Sequence, residues 1–163
     1  MPSYVRETVV DAPLDDVWGF HSQIRGLEAL TPDWMGLRVE RVIGADGEPD
    51  PDRLDAGSEI ALSMRPFDVG PRQHWTSVIT EREHGDDTAF FRDEMVHGPF
   101  DRWVHTHAFF ADGPETVVRD HVEYELPLAH RLGKLAVATV PFSQAGFEAM
   151  FRQRHRTTKA QLE

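Results

Sequence analysis

FFRDEMVHGPFDRWVHTHAFFADGPETVVRDHVEYELP, residues 90–127, decides the fold. Apolar and polar residues alternate through it, with turn residues at Gly98-Pro99 and Asp112-Gly113-Pro114, which predicts three consecutive antiparallel strands. Successive side chains of a strand point to opposite faces. Phe91, Asp93 and Met95, then Trp103, His105, His107 and Phe109, then Asp120, Val122, Tyr124 and Leu126 share one face. The other face carries Arg92, Glu94, Arg102, Thr106, Arg119, His121, Glu123 and Glu125 and reads as solvated.

A purely structural sheet fills its inner face with aliphatic side chains, because a buried polar group without a partner costs about 1–3 kcal/mol. Here Asp93, His105, His107 and Asp120 stand among Trp103, Phe109 and Tyr124. That mixture predicts a cavity with a few polar handles in place of a solid core.

Upstream, Tyr4 to Val10 alternate as a first strand. Asp11-Ala12-Pro13 then opens a helix whose Asp15 and Asp16 suit the positive end of the dipole, with Val17 and Phe20 facing the sheet. Ile24, Leu27 and Leu30 give a second short helix that Thr31-Pro32 stops. Gly36 to Ile43 reads as a strand, and the Gly, Asp and Pro residues of 44–57 as a mobile surface connection. Two further alternating runs follow, with Ile60, Leu62 and Met64 inward in the first and Trp75, Ser77 and Ile79 inward in the second. About seven strands result.

After Leu132 the period becomes helical. Leu132, Leu135, Ala136, Thr139 and Val140 form a stripe, Pro141 bends or restarts the helix, and Phe147, Met150 and Phe151 continue it. The concave face of the sheet is the natural place to bury that stripe. The basic end, Arg152, Arg154, His155, Arg156 and Lys159, complements the helix C-terminus; an anionic membrane contact is the lesser alternative.

The 163 residues fit one domain, 1–163, with enough chain for a core. There is no cysteine, which removes disulfides, thiolate metal sites and cysteine nucleophiles. The N-terminus has no signal-like pattern and no apolar run approaches a membrane span, so a soluble, cytoplasmic protein is expected. A net charge of −11, with Lys134 and Lys159 the only lysines, disfavours nucleic acid and suits a salt-rich cytosol. In such an acidic chain Trp34, Trp75 and Trp103 read as pocket walls and not as platforms for bases.

The order of elements, together with DAPLDDVWGF, LTPDW, FRDEMVHGPFDRWVHTHAF and RDHVEYELP, resembles the START-like (SRPBCC) ligand-binding superfamily over essentially the whole chain. Its polyketide cyclase/dehydrase-like and coenzyme Q-binding-like members are the nearest in pattern. The resemblance implies an α+β helix-grip fold: a curved seven-stranded antiparallel sheet around a long C-terminal helix, with two short helices after the first strand. It also implies a largely apolar cavity that binds a lipid, a quinone, a polyketide or another hydrophobic small molecule.

For the site itself, the walls are expected from Met64, Trp75, Ile79, Phe91, Met95, Trp103, Phe109 and Val122. His105 or His107 with Asp93 or Asp120, and Tyr124 to orient a carbonyl, make an acid–base set able to assist an aldol-type cyclisation or a dehydration. The plainer reading makes the same residues a hydrogen-bonded network that shapes the pocket of a carrier or sensor. Two His and a carboxylate can also form a facial metal set, but His97 ends its strand at a turn and His121 points outward, so neither metal nor cofactor is assigned. GxSxG, GxGxxG, Walker and HExxH patterns are absent. A third reading, an interaction protein with a filled core, predicts no cavity.

Overall fold

The computed structural model describes residues 1–126 and 144–163. Strand β1 (Ser3–Val10) leads into helices α1 (Leu14–His21) and α2 (Ile24–Leu30). Strands β2 (Arg38–Ile43), β3 (Glu59–Met64), β4 (Gln73–His84), β5 (Thr88–Val96), β6 (Arg102–Asp112) and β7 (Glu115–Glu125) follow, and α3 (Gln144–Leu162) ends the chain. All seven strands pair antiparallel in the order β1-β7-β6-β5-β4-β3-β2. Return of the first strand to the last leaves β1 and β2 as edges, and the sheet closes around α3. The stripe expected from Leu132 to Val140, and the bend at Pro141, lie outside the described residues.

Three apolar clusters fill the grip. Val10, Leu14, Val17, Trp18, Phe109 and Val118 join α1 to the sheet. Leu54, Ile60, Leu62 and Ile79 hold the β2–β4 side, while Phe100, Val122, Tyr124, Phe147 and Phe151 hold α3 against β6 and β7. Tyr4 stacks on Phe151 at 5.3 Å between ring centroids, and Tyr124 meets Phe147 edge-on at 5.0 Å. Buried aromatic pairs of this kind add about 0.5–1.5 kcal/mol each beyond their area.

Four expectations change. Gly36 adopts φ 57° and closes the short helical turn Asp33–Met35, so β2 begins at Arg38. In α1 the residue buried beside Val17 is Trp18, and Phe20 is only half-buried. The 44–57 connection is anchored: Leu54 is buried, its N–H donates to Ser22 O, and Gly57 N–H donates to Ile79 O at 2.7 Å. Trp34 stacks on exposed Phe67 at 4.9 Å and does not line the cavity.

A bulge in β4 between Ile79 and Glu81 shifts the alternation by one residue. Arg82 therefore turns inward, donating to Leu54 O and Ser22 Oγ with its guanidinium 4.5 Å from the Trp18 ring centroid. It ties α1, the 44–57 connection and β4 together at one point.

Candidate functional site

The register of β5, β6 and β7 places Asp93 opposite His105, and His107 opposite Asp120. Both imidazoles are buried, and Asp120 is 2% exposed. His105 Nε2 donates to Asp120 Oδ1 at 2.9 Å. His107 Nδ1 lies 3.1 Å from the same oxygen, but at an angle that misses a hydrogen bond, so that attraction is Coulombic. The second carboxylate oxygen, Oδ2, accepts from His155 Nε2 of α3 at 2.6 Å. An ionised carboxylate can only accept, so His105 and His155 are fixed as Nε2–H donors.

On the cavity side, Asp93 Oδ1 lies 3.3 Å from His107 Nε2 and 3.7 Å from His105 Nδ1, while Ser77 Oγ donates to Asp93 Oδ2 at 3.1 Å. With its Nε2–H committed to Asp120, a neutral His105 turns a lone pair toward Asp93, and a positive charge between the rings and that oxygen is needed. A proton on His107 supplies it. Burial opposes the charge, but Asp120 and Asp93 outweigh burial and raise the His107 pKa. His105 goes the other way, down to about 4, because burial and the neighbouring His107 outweigh its bond to Asp120. Burial acts upward on both acids, but the surrounding histidines outweigh it, lowering Asp93 and taking Asp120 well below the usual carboxylate range. Asp93, His105 and His107 are also the one set among the described residues spaced to hold a metal ion. Such an ion would have to displace the His107 proton.

The cavity these groups face has a volume of about 140 Å3, roughly ten times the least that holds one water. Its wall is mainly apolar and includes Met64, Trp75, Ile79, Phe91, Met95 and Trp103, all expected from the strand alternation. α2 contributes Leu27 and Leu30, and the 44–57 connection contributes Leu54. Asp93, His105 and His107 line it too. Such a space removes the filled-core reading.

Four expected site residues do not reach the cavity. Phe109 packs under α1, and Val122 packs against the aromatic cluster on α3. Tyr124 is buried between Phe100 and Phe147, away from the space where it was to orient a carbonyl. Asp120 stands behind the histidines, holding them and not facing a guest. All four lie on the inner face as the alternation requires, but α1 and α3 cover that part of it.

Sequence reasoning missed three groups. His155 and Arg154 are buried and turned to the sheet, not to solvent with the rest of the basic helix end. The signal was present: Phe147, Phe151, Arg154, His155 and Thr158 fall at helical spacing and continue the apolar stripe. His21 at the end of α1 also lines the cavity. Thr158 Oγ1 donates to Arg154 O, so its 3.2 Å contact with His21 Nε2 makes that nitrogen the donor. Burial, with Arg154 next in weight, lowers the His21 pKa to about 3.

A curved antiparallel sheet gripping a C-terminal helix over an internal cavity defines a helix-grip ligand-binding domain. Residues 10–146 match the model of the family described as polyketide cyclase / dehydrase and lipid transport, and the chain belongs to that family. No curated protein matches it. Among solved structures, the protein CV1439 of Chromobacterium violaceum is similar with a TM-score of 0.67 and 13% identity, over 99% of this chain and 96% of that one. TTHA0849 of Thermus thermophilus is similar with a TM-score of 0.61 and 22% identity, over 98% of both chains. Norcoclaurine synthase of Thalictrum flavum, in complex with dopamine and hydroxybenzaldehyde, gives 0.61 and 15% over 98% and 85%. At these identities the likeness is one of fold, and the family supports the binding of hydrophobic ligands in general.

Proposed function

We propose that the protein binds a hydrophobic small molecule (a lipid, quinone or polyketide-like compound) in this cavity as a carrier or sensor. The observation that carries the reading is the cavity itself, closed on the α3 side by Phe147 and Phe151 and walled by apolar side chains. Native mass spectrometry of the purified protein, followed by extraction of what travels with it, tests this. A bound apolar compound supports the reading. Failure of the protein to take up any apolar probe overturns it.

One observation favours a second reading, a cyclase or dehydrase. Asp93 and His107 form an ion pair on the cavity wall, where an imidazolium can give a proton to a substrate oxygen and an imidazole or carboxylate can take one from carbon. His107→Phe and Asp93→Leu separate the two roles. In an enzyme they abolish turnover of a polyketide-like substrate, whereas in a carrier they leave most of the affinity.

A further inference from the structure

Arg154 is 8% exposed and lines the cavity. Among the described residues no carboxylate lies within ion-pair distance of its guanidinium and no acceptor takes a hydrogen bond from it; its Nε is fully buried without a partner. The Phe151 ring lies with its centroid 5.8 Å away, and Asp120 and Asp93 favour the charge only from beyond ion-pair distance. Other partly buried arginines are provided for. Arg6 holds Glu148 at 2.5 Å, and Arg82 has two hydrogen-bond acceptors with Asp55 at 3.7 Å.

A guanidinium keeps its proton in proteins and presents five donors in a fixed fork that matches a carboxylate two to two. Leaving it dry and unpaired is costly, so its persistence in a wall otherwise built for apolar matter points to a partner that arrives from outside. Charge narrows the partner. Two carboxylates already stand at this end of the chamber, Asp93 on its wall and Asp120 buried behind the histidines. The pocket accepts one added negative charge more readily than two.

We propose that Arg154 anchors the carboxylate of an amphiphilic monocarboxylic acid, whose apolar body lies among Leu62, Met64, Trp75 and Met95. The proposal rests on the ligand-binding reading above and specifies the chemistry of the guest's polar end. The head group sits on the helix side of the cavity, and the body extends toward β3 and β4.

The test displaces the neutral fluorescent probe N-phenyl-1-naphthylamine from the intact protein at pH 7.5, using octanoate, 1-octanol and octyl phosphate. Octanoate is expected to compete at least tenfold better than octanol and better than octyl phosphate. Arg154→Met is expected to remove the preference for octanoate while octanol and the probe still bind. Arg154→Lys, which keeps the charge and loses the fork, falls between them. Equal competition by octanoate and octanol in the wild-type protein overturns the proposal and leaves the cavity reading standing, and tighter binding of octyl phosphate also overturns it. A preference for octanoate that survives Arg154→Met does the same. No binding of the probe at all overturns the ligand-binding reading instead. If Arg154→Met does not fold, the wild-type series and Arg154→Lys decide.

Discussion

His155 Nε2 on α3 lies 2.6 Å from Asp120 Oδ2 on β7, and this bond fastens the gripping helix to the strand that pairs with the β1 edge. The same carboxylate bonds His105 and faces His107, so one acid organises three imidazoles from two elements. Asp120→Asn keeps the shape and removes the charge. It should lower the unfolding free energy by about 3–5 kcal/mol, the usual consequence of breaking a buried charged network. Urea titration checks this, and a loss under about 1 kcal/mol would mean that packing alone holds α3.

Acid should unfold the protein earlier than carboxylate protonation alone would. His21 and His105 are held neutral, with pKa values of about 3 and about 4, below the ordinary histidine value of 6.5. A depressed folded pKa contributes stability that is complete above pH 6.5 and declines as pH falls toward the folded value. Two such groups give a slope of up to about 2.7 kcal/mol per pH unit below pH 6.5. Asp93 and Asp120, also depressed, add to the loss below the ordinary carboxylate range. His107 is raised, so its contribution is complete below 6.5 and fades as pH climbs through its folded value. Urea midpoints at pH 7, 6 and 5 read the slope directly; equal midpoints contradict it.

Filling the cavity should separate binding from stability. Leu27 of α2 is half-buried on the cavity wall, and Leu27→Trp occupies space meant for a guest. Uptake of a neutral apolar probe is expected to fall more than tenfold, while the melting temperature stays within a few degrees of wild type. Unchanged uptake would place the guest elsewhere.

Gly26 lies where α2 turns back against α1, and a Cβ there would sit 2.1 Å from the Phe20 carbonyl oxygen. In an open helix, replacing glycine by alanine is favourable by about 1 kcal/mol. Here the backbone must move, and Gly26→Ala is expected to cost about 1–3 kcal/mol instead. A stabilised variant in thermal melts would contradict the close approach of the two helices.

The net charge of −11 makes self-repulsion a term in stability. Raising potassium chloride from low to molar concentration should raise the melting temperature. A flat response rejects salt adaptation.

Much of the grip was legible because strand alternation is a local property. The sorting of Phe91, Asp93 and Met95 from Arg92 and Glu94, and of His105 and His107 from Thr106, follows from period two alone. What escaped depends on events between distant elements. The bulge beside Thr80 that turns Arg82 inward leaves no mark in the alternation before it. The inner-face residues Phe109, Val122 and Tyr124 are hidden by helices whose docking the strands do not announce. Arg154 and His155 sit in a basic tetrapeptide, Arg152 to His155 with Gln153, that reads as a solvated helix end unless the phase of Phe147 and Phe151 is carried through it.

Because Asp120, Val122 and Tyr124 stand behind the cavity wall, part of what clasps the helix lies out of a guest's reach. Exchanges at Met64 or Trp75, which lie outside the aromatic cluster on that helix, can reshape the chamber without loosening the clasp. A scaffold divided in this way can change its cargo by small steps and keep its architecture throughout.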